Sequence, residues 1–298
     1  MALDVSYTRV VGGYLCGGTT SPSERLEAYA KGAEGRDKFV KFIKVILEFG
    51  LCLAKHLGAS KKTQANWKAA SDAAGGARDF FGLLNIFAGI LPSMATNCRN
   101  VNALYAALGN DGQVVGLKGK VSKDPLAQAY TDCHKRMALV EESAKFVAGV
   151  GYVGGFGIAR PVAWVGKMGA PLGKAAKGVG DSFYVFMFVN HVGATVANGV
   201  ALARKVATVK HVSRTIESAS SDASGEARRK LKREMARQSV VHGMTLFEKA
   251  LELACDCKKL FGAKIHPVAI GSMGLVVGFV GMIKVWCTTY KAPDEDKY

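Results

Sequence analysis

The residues of this chain that could do chemistry are scattered. The six histidines, His56, His134, His191, His211, His242 and His266, fall into no metal-ligand or triad spacing. Cys255 and Cys257 stand one residue apart, which is not zinc-ligand spacing, and no second pair follows. No GxSxG, HExxH, Walker or CxxC pattern occurs. Gly149-Val150-Gly151-Tyr152-Val153-Gly154 spells a dinucleotide fingerprint. Such a fingerprint needs a strand before it and an acid about 20 residues on. Here a helical pattern precedes it and the next acid, Asp181, lies too far along, so the run reads as a glycine-rich packing stretch. The sequence therefore predicts no catalytic residue, no metal site, no cofactor and no enzyme.

The chemistry it does offer is lysine beside apolar surface. Between Arg36 and Leu57, at about 100° per residue, Lys41, Lys44, Glu48 and Lys55 fall in one narrow stripe. Phe39, Phe42, Ile43, Ile46, Leu47, Phe49, Leu53 and Leu57 fill most of the remainder. Such a helix can lie among headgroups with its apolar side in acyl chains. A core helix of a water-soluble bundle has the same pattern. The second candidate set is Gly271, Gly274, Gly278 and Gly281, which share one side of a helix. Small residues stacked this way allow close helix contact in lipid, whereas in a water-soluble helix each would lose roughly 1 kcal/mol against Ala.

The elements that must position these residues are helical. Ser21-Pro22-Ser23-Glu24 is a helix-start signal. Thr63–Ala77 is polar and Ala-rich, and the apolar stretch Arg78–Leu91 is expected to stop at Pro92, too short to span. Asp124-Pro125 opens a helix. Its seam, Leu126, Tyr130, Cys133, Met137, Val140, Ala144 and Val147, wants a partner helix. Phe146–Gly166 is a candidate span or re-entrant element, and Lys167–Gly180 reads as a loop. Ser182–Ala203 is a candidate span carrying Asn190, His191 and Asn198, polar groups that are costly in lipid unless they face protein or water. A basic region runs over Arg204–Arg237, and a helix from about Glu226 ends before Gly262. Val268–Trp286 is the clearest transmembrane segment; its single charge, Lys284, lies near the end and can reach the interface.

The fold class that follows is all-α: a membrane-associated helical bundle with amphipathic N-terminal helices and one to three transmembrane helices. The divisions are an N-terminal extension at 1–20, an amphipathic helical region at 21–108 and a linker at 109–123. A helix with central membrane segments covers 124–203, a basic helical region 204–265, a C-terminal transmembrane helix 266–290 and a tail 291–298. Composition agrees. Lys plus Arg is 40 against 24 for Asp plus Glu, a net charge of +16, beside a hydrophobic fraction of 49%. A mean hydropathy of +0.12 is high for so basic a chain and turns its affinity for phosphate toward anionic lipid. The seven scattered cysteines and the lack of an Asn-x-Ser/Thr sequon suit a reducing compartment outside the secretory pathway. No signal peptide is expected at the start and no peroxisomal Ser-Lys-Leu address at the end. The run EARRKLKREMAR has charges all round its helix and no stacking aromatics, so nucleic acid is not the expected partner.

Glu34-Gly35-Arg36-Asp37-Lys38, leading into the amphipathic helix, resembles the opening of the peroxin-11 family of peroxisomal membrane proteins, which has relatives in glycosomes. Ala77-Arg78-Asp79-Phe80 resembles its second amphipathic helix. Asp181-Ser182-Phe183-Tyr184 with His191 and Gly199 resembles its central segment, and His266-Pro267 with the glycine run to Trp286 its C-terminal span. The resemblance covers roughly residues 22–290. It implies a protein of the peroxisomal (glycosomal) membrane that inserts amphipathic helices, curves and elongates the membrane, self-associates and promotes fission with the organelle division machinery. On that reading Lys38, Lys41, Lys44 and Lys55 meet anionic headgroups, and Phe39, Phe42, Ile43, Ile46 and Phe49 insert. Gly274 and Gly278 mediate helix contact. A pore for small metabolites is the alternative, with Arg160, Asn190, His191 and Asn198 as candidate pore-lining residues; a basic helical nucleic-acid-binding protein is the third. The basic Arg204–Arg237 stretch favours the cytosolic side, whereas the family picture of two spans with cytosolic termini places it within the organelle.

Overall fold

The computed structural model describes residues 32–109, 125–167, 173–218 and 223–289. The extension 1–20, the start signal at 21–24, the linker from 110 and the tail 291–298 lie outside the described residues, as do the side chains of EARRKLKREMAR. Among the described residues every regular element is helical. They are α1 (Ala33–His56), α2 (Lys61–Asn85), α3 (Leu91–Gly109), α4 (Pro125–Tyr152), α5 (Arg160–Lys167), α6 (Gly173–Asp181), α7 (Phe183–Ser218), α8 (Ala223–Phe261) and α9 (Pro267–Thr289). The all-α bundle expected from the sequence is the fold.

Local chemistry sets the helix ends. Gly58 and Gly262 both stand at φ 68°, the left-handed conformation that glycine adopts without a Cβ clash and that commonly closes a helix. After Gly58, the Ser60 hydroxyl accepts from the Thr63 N–H at 3.2 Å and starts α2. The Pro92 stop does not occur. A π-helical segment, Ile86–Ile90, joins α2 to α3, and the chain runs on as one helix through Pro92. A second π segment, Val153–Ala159, joins α4 to α5 just before Pro161. Proline lacks an N–H and collides with the carbonyl four residues back. A wider turn immediately upstream re-registers the hydrogen bonds, so the helix is carried past the proline. The Lys167–Gly180 stretch, expected as loop, holds α6 from Gly173 on.

Among the described residues four helices are long and apolar enough to cross a membrane: Lys61–Ala106, Cys133–Gly166, Lys177–Thr208 and Pro267–Trp286. The first is a candidate only because the helix continues through Pro92, where the sequence predicts a stop. Packing runs in a cycle: α2 on α1, α1 on α9, α9 on α8, α8 on α7, α7 on α4 and α4 on α3, which continues α2. The two π segments meet across a small apolar core of Ile86, Phe156, Ala159, Phe183 and Met187. Phe156 sits over Gly82, where a Cβ would lie 2.5 Å from the ring.

The distribution of surface is the reverse of a water-soluble protein. Phe80, Leu84, Phe87 and Leu91 form an outward stripe on the first span, and Val185, Val192 and Val196 are exposed on α7. Inside, Asp37, Lys41, Glu141, His191, Glu248, Glu252 and Asp256 are buried, Glu248 completely at 0% exposure. Apolar groups outside and charges within are stable when the surrounding solvent is lipid. The chain has the architecture of a membrane protein.

Candidate functional site

The charged interior is built by α1, α7, α8 and α9. Glu248, Glu252 and Asp256 are spaced four apart on α8, so they share one face. Lys38 of α1 donates to Glu248 at 2.6 Å, and Lys284 of α9 donates to the same carboxylate at 3.1 Å. Lys41 pairs with Glu252 and stands 3.6 Å from Glu248. Glu252 also takes Lys249 at 2.6 Å and His191 Nε2 at 3.0 Å. The other ring nitrogen, His191 Nδ1, lies 2.6 Å from Asp256. Both imidazole contacts are donor–acceptor bonds only when both ring nitrogens carry a proton.

Burial by itself would raise the pKa of both glutamates. The surrounding ammonium groups outweigh it: Lys38, Lys41 and Lys284 hold Glu248 low, and Lys249, Lys41 and His191 hold Glu252 well below the usual range. Lys41 moves down to about 8, because loss of solvent outweighs the attraction of Glu252. The acids are therefore charged at neutral pH, and Lys41 is the member that titrates on the alkaline side.

Two chambers with polar side chains in their walls lie along α7. One, of about 630 Å³, is lined by Lys41, Lys44, Arg78, Asp79, Arg160, Trp164, His191 and Asp256 among others. The second, of about 400 Å³, is lined by Asn97, Glu141, Lys145, Asn190, Asn198, Lys205 and His242 among others. Beside the second chamber α4 and α7 touch backbone to backbone. A Cβ on Gly151 would stand 2.5 Å from the Asn190 nitrogen, and one on Gly193 2.8 Å from the Ala144 oxygen. Asn190 Nδ2 donates to the Ala148 carbonyl at 2.7 Å across this seam. Asn198 Oδ1 faces His242 Nδ1 at 3.0 Å, and His242 Nε2 faces Lys205 Nζ at 2.9 Å. The GxGxxG run is thus packing surface: Gly149 meets Met94, Gly151 the α7 backbone and Gly154 Phe186.

The residues singled out from the sequence divide clearly. Of the candidate pore-lining set, Arg160 and His191 border the first chamber, and Asn190 and Asn198 the second. Of the candidate headgroup lysines, Lys55 is exposed and Lys44 pairs with Glu48 at 2.9 Å. Lys38 and Lys41 are corrected: they turn inward to acids on α8, because the packing of α1 against α9 and of α9 against α8 places that face over Glu248 and Glu252, where charged hydrogen bonds form. Phe39, Ile43 and Ile46 stay exposed on α1. Phe42 and Phe49, expected to insert, are corrected too: they fill the glycine groove of α9. Cβ atoms on Gly271, Gly274 and Gly278 would meet Phe49, Val45 and Phe42 at 2.9, 3.0 and 3.2 Å. Gly281 has another use: a Cβ there would sit 3.1 Å from Glu248 Oε1, so its absence leaves room for the ion network.

The residues that sequence reasoning missed are Glu248, Glu252 and Asp256. A signal was present, since acids spaced i, i+4, i+8 in so basic a chain mark a face with a purpose. Among the described residues no group of His, Cys, Asp and Glu is arranged to hold a metal ion. No family model, no curated protein and no solved structure matches this chain.

Proposed function

We propose that this protein resides in the peroxisomal (glycosomal) membrane, elongates it and promotes proliferation and fission of the organelle, the role implied by the resemblance to the peroxin-11 family. The observation that supports this reading is the outward face of α1. This helix is not among the four apolar enough to cross a membrane, yet Phe39, Ile43 and Ile46 remain exposed, at 50%, 37% and 41%. An apolar row on a helix held beside the spans enters one leaflet only, and unequal leaflet area bends a bilayer. Anionic lipid, a second copy of the chain and the organelle's division machinery are the partners this role requires.

The test is reconstitution of the full chain into anionic liposomes, viewed by electron microscopy. Wild type is expected to draw tubules. The variant Phe39→Ser/Ile43→Ser/Ile46→Ser should still insert through its spans and lose tubulation, since each side chain gives up about 1.5–3 kcal/mol of apolar burial. Equal tubulation by this variant would rule out α1 as the wedge.

A second reading, a pore for small metabolites, is favoured by the two chambers along α7, which border all four candidate lining residues. Planar-bilayer recordings would then give a conductance. His191→Leu should change it by roughly tenfold or more, because it removes both carboxylate contacts at the chamber wall. No current from the wild-type protein would exclude this reading, and a variant current identical to wild type would exclude His191 from the path.

A further inference from the structure

Within the larger chamber the acids other than Asp79 are held by bases at hydrogen-bond distance. Glu48 accepts from Lys44 at 2.9 Å, Asp72 from Lys68 at 2.6 Å and Asp256 from His191 at 2.6 Å. Glu252 is surrounded by Lys41, Lys249 and His191. Two guanidinium groups are in a different position. Arg78 Nε stands 3.8 Å from Asp37, and Arg160 Nε stands 3.6 Å from Asp79, beyond hydrogen-bond reach. Both Nε atoms are buried and meet no acceptor among the described residues. A buried donor left in that state is destabilising, and more so when it is charged.

Aromatic faces orient these groups. The Arg160 guanidinium lies 3.9 Å from the centre of the Phe183 ring, and that of Arg78 5.2 Å from Phe156. A guanidinium over a ring keeps its N–H donors in plane and directed past the ring edge, as a fork suited to paired oxygens. Lys44 lines the same chamber. Its ammonium is held below the ordinary lysine range by burial first. Glu48 opposes that shift, and the nearby charges of Arg78 and Arg160 add to it. Three cations near one another inside a protein, two with unspent donors, are complementary to a group that brings negative charge and several acceptors together.

We propose that Lys44, Arg78 and Arg160 form a binding site for an oxyanion, a carboxylate or phosphate group carried by a ligand small enough for the chamber. Its volume of about 630 Å³ is in the range of small-molecule sites. The oxyanion belongs either to a free solute or to a lipid headgroup. The site stands whether or not solutes cross the membrane, so its test is separate from those of conductance and tubulation.

The experiment uses the full chain in phosphatidylcholine nanodiscs, titrated with sodium phosphate or sodium acetate at constant ionic strength made up with chloride. Saturable heat, with a change in fluorescence from the Trp164 beside the site, is the expected result. Arg78→Gln and Arg160→Gln should each weaken binding roughly 10- to 100-fold. Arg160→Lys should fall between, because it keeps the charge and loses the fork; Lys62→Gln, exposed and outside the chamber lining, should bind as wild type. A second measurement needs no variant: phosphate should slow phenylglyoxal modification of Arg78 and Arg160, followed by mass spectrometry, where chloride does not. Adding phosphatidic acid to the nanodiscs separates the sources. If it abolishes phosphate binding and itself protects both arginines, the occupant is a lipid headgroup; if phosphate still binds, it is a solute. The proposal is overturned if neither the salts nor phosphatidic acid protects the arginines, or if the glutamine variants fold and bind as wild type does.

Discussion

Glu248→Leu is expected to lower stability by about 3–5 kcal/mol, the scale on which a buried ion network fails when one partner is removed. Glu248 is 0% exposed and is shared by Lys38, Lys284 and Lys41 from two other helices. Removing it leaves three positive charges facing one another where α1, α8 and α9 converge. Unfolding in mixed micelles by increasing SDS fraction, followed by circular dichroism, measures the loss. A companion variant, Glu248→Leu/Lys38→Met/Lys284→Met, should recover much of it, because replacing a whole buried ionic set with apolar groups is often neutral or stabilising. Acid should act like the single substitution. Glu248 and Glu252 have native pKa values below the unfolded value of about 4.5. Their contribution is therefore fully present above that pH and is lost as pH falls through the native values. A Glu248→Leu protein that resists SDS as well as wild type would show that the network adds nothing to the fold.

Gly151→Val should be nearly as damaging, for a steric reason. The atoms facing a new Cβ there are backbone: the Asn190 nitrogen at 2.5 Å and the Phe186 oxygen at 2.6 Å. A flexible side chain could move aside; a helix backbone cannot, so α4 and α7 must separate. That separation also strains the bond from Asn190 to the Ala148 carbonyl and opens the wall of the second chamber. Overpacking a tight site costs about 1–3 kcal/mol, and a backbone contact belongs at the upper end. The control is Gly76→Ala. Gly76 lies in α2 with nothing within 4 Å of its Cβ position, so alanine there should stabilise by up to about 1 kcal/mol through helix propensity. The same SDS titration compares both; equal stability of Gly151→Val and wild type would show that the α4–α7 contact is looser than described.

Much of this protein can be read residue by residue. The glycines that close α1 and α8, the serine that opens α2 and the apolar run of α9 act through neighbours in the chain, and each does what its local chemistry dictates. The preference for lipid follows from composition and hydropathy, and the polar residues of α7 were recognisable because charge and amide groups in an apolar helix need a reason. What faces each stripe was not legible. The lysine face of α1 identifies a polar side, and anionic lipid and carboxylates are equally good partners for it on a helical wheel. The acids that win lie 210 and 211 positions away, so only the folded arrangement brings them together. The glycine groove of α9 likewise announces close approach without naming α1 as the helix that enters it. Pro92 marks the limit of local rules most plainly. Its missing N–H predicts a break, but a π turn upstream and the packing of that turn against Val153–Ala159 keep the helix whole. The sequence by itself determined the ends of α1 and α8, the start of α2 and the solvent for the outer faces, because those depend on groups a few residues apart. Tertiary structure decided which charges face inward and where the chambers lie, because these depend on contacts between helices remote in the chain.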